Sequence, residues 1–114
     1  MLRLERALAL AVYVAVSVAY FGWRLLPDPG RVVFGEENAP IYIWSFAWWA
    51  HALGTWTNPF VSGQLYAPVG VNLAWTPSAP AIALVFSPLT ALVGPIASYN
   101  VAGVLLPALS AWTA

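Results

Sequence analysis

The 114-residue chain is 61% hydrophobic and 7% charged, with a formal net charge of zero and a mean hydropathy of +0.77. Roughly a quarter of a soluble domain is charged, so too few polar side chains are present to cover a globule in water. The four Arg are scattered, which excludes the basic stripe that nucleic acid requires. The absence of Cys excludes disulfides, thiolate metal sites and thiol nucleophiles.

Every Arg, Asp and Glu lies between Arg3 and Glu37, and beyond that point the only ionisable side chains are His51 and the tyrosines. Such a sequence predicts an all-helical integral membrane protein with three transmembrane helices and a large first outer loop containing a surface helix. Residues 7–26 form the first apolar run, about the length that crosses a hydrocarbon core of ~30 Å. Arg24 can snorkel to the interface, and Tyr20, Phe21 and Trp23 are the ring types found at headgroup depth. A cleaved signal peptide competes, since Arg3 and Arg6 precede the run and Ser17-Val18-Ala19 resembles a cleavage site. The run continues past that site, which favours a span.

Pro27-Asp28-Pro29-Gly30 ends the helix. Arg3 and Arg6 on one side balance Arg24 and Arg31 on the other, so charge does not orient the span. Residues 27–77 are expected to form the outer loop. Within it, 41–53 predict a helix entered through Asn38-Ala39-Pro40, too short to span, which with Tyr42, Trp44, Trp48, Trp49 and His51 reads as a helix at the membrane surface, a tightly packed re-entrant segment being the alternative. Turn pairs at Asn58-Pro59, Ser62-Gly63 and Pro68-Val69-Gly70 mark the following stretch as an ordered loop with aromatic anchors. Residues 78–93 and 95–114 predict a second and a third span, hinged at Gly94 and kinked at Pro88 and Pro107, where neighbouring groups must satisfy the freed carbonyls. The third run stops at Thr113-Ala114 without a polar flank, which reads as the edge of a longer protein.

Polar function concentrates at Glu36-Glu37-Asn38. Two adjacent carboxylates beside a membrane can accept a proton from a hydroxyl nucleophile or hold a hard divalent cation such as Mg or Mn. Capping of the next helix dipole, or simple solvation, is the stronger reading of the two acids, since a stabilisation of up to about 1 kcal/mol needs no catalysis at all. His51 can donate to a headgroup phosphate, or simply sit among the Trp residues as an amphipathic ring. Asn58, Gln64 and Asn72 could bind sugar or phosphate oxygens, yet all three occupy ordinary turn positions. Asn100 predicts an interhelical hydrogen bond of around 0.6 kcal/mol. Aromatic faces can stack on sugar rings, and interfacial anchoring accounts for the same enrichment.

Taken in order, the features resemble the start of the bacterial multi-spanning membrane glycosyltransferases of the GT-C class, particularly the poorly characterised actinobacterial type. The resembling strings are Ile43-Trp44-Ser45-Phe46-Ala47-Trp48-Trp49, His51-Ala52-Leu53, Asn58-Pro59-Phe60, Ala67-Pro68-Val69-Gly70-Val71-Asn72-Leu73 and Gly94-Pro95-Ile96-Ala97-Ser98-Tyr99-Asn100. The resemblance implies a transferase that moves a sugar from a polyprenyl-phosphate carrier to an acceptor on the outer face of the cytoplasmic membrane, with a cytoplasmic amino terminus. It also implies an acidic residue of the first outer loop at the reaction centre, as base or metal ligand. The family pattern places Asp six residues before the first Trp of the surface helix, where this chain has Asn38. An amide cannot act as a base at neutral pH, so the role passes to Glu37 or Glu36 through a shift of the loop, or this copy has lost activity. Glu37 and Glu36 are thus the catalytic candidates, with Glu37 the metal candidate. Asn38, His51, Asn58 and Asn72 are the substrate-binding candidates, and lipid and the parent protein's remaining helices are the expected partners. A noncatalytic membrane scaffold and a fragment of a polytopic transporter are the competing readings.

Overall fold

A computed structural model describes residues 2–33, 35 and 37–114, and the protein is predominantly helical. Helix α1 (Leu2–Ser17) runs directly into a π-helical turn (Val18–Gly22). Together they form the one helix among the described residues that is long and apolar enough to cross a membrane, Arg3–Gly22. The helix lies closer to the amino terminus than the predicted run 7–26. Its end is set at Gly22, whose carbonyl accepts from both Leu25 N and Leu26 N at 2.9 and 3.2 Å, closing the ladder ahead of the prolines.

Helix α2 (Ala39–Gly54) carries Pro40 in its first turn, where a missing N–H costs nothing. Asn38 precedes the helix as predicted, but its side chain makes no capping bond. The expectation of an interfacial helix is altered in one respect: Trp48 and Trp49 are only 8% and 5% exposed, so they are core residues and not headgroup anchors. The cause is that α2 is apolar nearly all round, which in a packed element signals burial on several sides. Phe46 touches Phe86 and Tyr99, and Trp49 meets Phe60 edge to face at 5.3 Å.

The stretch read as an ordered loop contains a short antiparallel hairpin, β1 (Val61–Ser62) with β2 (Val71–Asn72), in which Val61 opposes Asn72 and Ser62 opposes Val71. Two isolated strands of this length are not stable by themselves. The hairpin is held to α2 by Trp48 Nε1, which donates to the Pro59 carbonyl at 2.9 Å, and is closed by Leu73 N donating to Phe60 O at 2.7 Å.

Helices α3 (Pro80–Val93) and α4 (Pro95–Thr113) match the two predicted apolar runs closely and are joined at Gly94. Pro88 cannot donate to the Leu84 carbonyl four residues earlier, and the Ser87 hydroxyl donates there instead at 2.8 Å, the local repair that apolar helices with internal proline require. Across the α3–α4 junction Thr90 Oγ1 donates to Ser98 Oγ at 2.8 Å, within a buried pair.

Helix α4 is the common partner of the other three helices. It runs antiparallel to α1, tied to it or to the segment after it at three levels. Trp112 Nε1 donates to the Arg6 carbonyl at 3.0 Å, the buried Ser17 hydroxyl donates to the Val104 carbonyl, and Asn100 reaches the chain beyond α1. Three successive crossings would have left the first and third helices parallel. The predominantly helical character expected from the sequence is present, while the arrangement of α1 and α4 differs from that of a three-span chain.

Candidate functional site

Asn100 is a fully buried polar side chain with two strong backbone partners. It sits in the second turn of α4 at 1% exposure, and its Nδ2 donates to the carbonyls of Pro29 at 2.8 Å and Val32 at 2.6 Å. One amide group thereby satisfies two backbone acceptors of a segment that has no regular structure. The segment is tightened further by Arg31 N and Val32 N, both donating to the Asp28 carbonyl at 3.1 and 3.0 Å. Sequence reasoning expected Asn100 to bond between helices. It instead fastens the loop after α1, which leads to the acidic residues, onto the start of α4.

The next residue inward, Tyr99, defines where that loop can go. Gly35 adopts φ +106°, and a Cβ placed there would stand 3.0 Å from the Tyr99 hydroxyl and 3.9 Å from the Ala39 Cβ. A side chain at position 35 would be strained by its backbone and by Tyr99 together. Gly35 therefore lies close to α4, shortly before α2 begins.

Between the end of α1 and this loop lies a cavity of about 660 Å³, bordered by Tyr20, Trp23, Arg24, Val32, Val33 and Gly35 among others. Arg24 stands 5.0 Å from the Trp23 ring centroid in a cation–π contact. The guanidinium is the cationic group of the cavity wall, and its planar donors match phosphate or carboxylate oxygens. The sequence reading placed Arg24 at the membrane interface without assigning it to a site. The only signal available was its position just past an apolar run, which snorkelling explains by itself.

The remaining candidates disperse. Glu37 is exposed in the turn ahead of α2, with Asn38 exposed beside it. Glu36 lies outside the described residues. His51 is exposed in the last turn of α2, with its ring 5.8 Å from that of Trp48. Thirteen residues separate it from Asn38, a rise of about 20 Å along a helix, so the two ends of α2 do not form one site. Asn58 and Asn72, predicted to bind substrate, use their side-chain oxygens locally. Asn58 Oδ1 accepts from Phe60 N at 2.9 Å, and Asn72 Oδ1 accepts from Ala74 N at 3.0 Å. Both are turn-forming residues whose acceptors are already engaged. Gln64 is exposed at the hairpin. Among the described residues no three His, Asp or Glu side chains converge as a metal-binding group.

Among the described residues, several elements thus build one polar locality: the α1 terminus with Arg24 and the loop fastened by Asn100, lined as far as Gly35. No protein-family model matches the chain, and no curated protein and no solved structure is similar to it.

Proposed function

We propose that the chain is the amino-terminal part of a membrane glycosyltransferase that moves a sugar from a polyprenyl-phosphate carrier to an acceptor on the outer face of the bacterial cytoplasmic membrane. The observation that carries this reading is the cavity in which Arg24 faces the segment leading into Glu36 and Glu37. A carrier phosphate needs a cationic partner at headgroup depth, and an acceptor hydroxyl needs a carboxylate base or a metal held by one. In this reading Arg24 contacts the phosphate, Glu37 first and Glu36 second supply the carboxylate, and Asn100 and Tyr99 position the loop that bears them. Glu37 would be the ligand of a divalent cation if the reaction uses one. The order of the resembling strings from Ile43 to Asn100 supports the same assignment.

The test is sugar transfer by the full-length protein in membranes. Glu37→Gln and Glu36→Gln should each lower turnover sharply, and the double variant should abolish it. Arg24→Gln should raise the KM for the carrier-linked donor more than it lowers kcat. Unchanged turnover in all three carboxylate variants would remove these residues from the mechanism and leave the scaffold reading, in which exposed acids merely precede a helix.

A further inference from the structure

We infer that α1 and α4 cross the bilayer as one antiparallel pair, so that residues 5 and 113 lie on one side of the membrane and the connection between the two helices returns from the other. The inference rests on the membrane reading above and specifies which surface of the protein meets lipid.

The three ties between α1 and α4 leave little freedom. Arg6 is bonded to Trp112, Ser17 to Val104, and Pro29 and Val32 to Asn100. As the number rises along α1 it falls along α4. The 19 residues of α4 span about 28 Å, close to the hydrocarbon thickness, but Arg3–Gly22 is the one described helix both long and apolar enough to cross unaided, so the crossing of α4 depends on its pairing with α1. The 14 residues of α3 span about 21 Å and fall short.

The surface of the pair fits a lipid bilayer. Along α1, Leu4, Leu8, Val12 and Val16 repeat every four residues and are 57–66% exposed. In water such a stripe would expose a continuous apolar face along the helix. Each end of the stripe carries cationic and aromatic residues. Arg3, Arg6 and Trp112 mark one end, while Tyr20, Trp23 and Arg24 mark the other. From Arg6 to Trp23 the rise is about 26 Å, the spacing of two interfacial belts across a ~30 Å core when arginines snorkel outward. The molecule is 56 Å along its longest axis, and α2 and α3 pack back along α4, with Tyr42, Ala79 and Ile82 beside Gly103 and Leu106, so these two helices flank the half of the pair that carries Trp23.

Residues 1–114 contain no Cys, so single cysteines report sidedness cleanly. Glu5→Cys and Thr113→Cys place a thiol at each end of the pair, where both residues are exposed. Gly63→Cys and Gly54→Cys place one in the connection between α1 and α4, at positions where an added Cβ meets nothing within 4 Å. The full-length chain, expressed in a bacterium, is treated with a membrane-impermeant maleimide before and after permeabilisation. The expected result is that positions 5 and 113 share one labelling pattern and positions 54 and 63 share the opposite one. Opposite patterns for 5 and 113 in a membrane-embedded chain would overturn the antiparallel crossing while leaving the membrane reading intact. A like pattern at all four positions, in a chain released by alkaline carbonate, would overturn both.

Discussion

Replacing Asn100 with Leu tests how the loop after α1 is held. The substitution keeps the branched shape of the side chain in a somewhat larger volume and removes the Nδ2 donations to Pro29 O and Val32 O. A net contribution of about 1 kcal/mol for each bond gives about 2 kcal/mol favouring release of the loop, or roughly a thirtyfold rise in its opened population. Arg31, exposed within that loop, supplies the readout, because trypsin cleaves after it only when the backbone is free to extend. Where reclosing is faster than cleavage, the rate follows the opened population. Cleavage at Arg31 in Asn100→Leu should therefore accelerate about ten- to thirtyfold, with cleavage at Arg24 as the internal reference. Asn100→Asp, which turns acceptors toward two carbonyls, should be at least as fast. An Arg31 rate within about twofold of the parent would refute the inference that these bonds set the position of the loop.

Two further substitutions probe the hairpin that packs on α2. Gly70 has φ +77°, and a Cβ there would lie 3.0 Å from the Ser62 carbonyl oxygen. Gly70→Ala should lower the stability of the α2–hairpin unit by at least about 1 kcal/mol, read as a lower midpoint in chemical denaturation followed by Trp fluorescence; an unchanged midpoint would contradict the strand geometry. Trp48→Phe retains an apolar ring but removes the donor to Pro59 O. It should cost about 1–2 kcal/mol in the same assay, while Trp56→Phe, at a residue 96% exposed, should change nothing measurable.

Much of the helical layout is legible because apolar runs are separated by residues with strong backbone preferences. Pro40, Pro80 and Pro95 stand in the first turns of α2, α3 and α4, and Gly94 joins the last two. The surroundings of each helix are less legible. Trp48 and Trp49 suit a headgroup layer and a protein core equally well, and in a helix apolar nearly all round no pattern chooses between them. The hairpin escapes notice because each of its strands has two residues, too few for an alternating pattern. The pairing of α1 with α4 rests on bonds between residues 68 to 106 positions apart, which no local window contains. For the candidate site, the acids and the turn asparagines stand out by residue type. Arg24 and Asn100 acquire their surroundings only when α1, the loop and α4 are brought together.

The central position of α4 has a consequence for the order in which the protein can assemble. α4 is the last helix in this sequence, and it supplies the principal partner of α1 and one packing surface for both α2 and α3. During synthesis α2, the hairpin and α3 can associate early, since their mutual contacts are complete before residue 94. The first helix must wait, without its partner, until Pro95–Thr113 has left the ribosome. During that interval its buried polar group, Ser17, lacks the Val104 carbonyl to which it donates. Docking of the fourth helix is therefore the step that locks the loop after α1 in place, and a nascent chain halted at Gly94 should leave that loop open to protease.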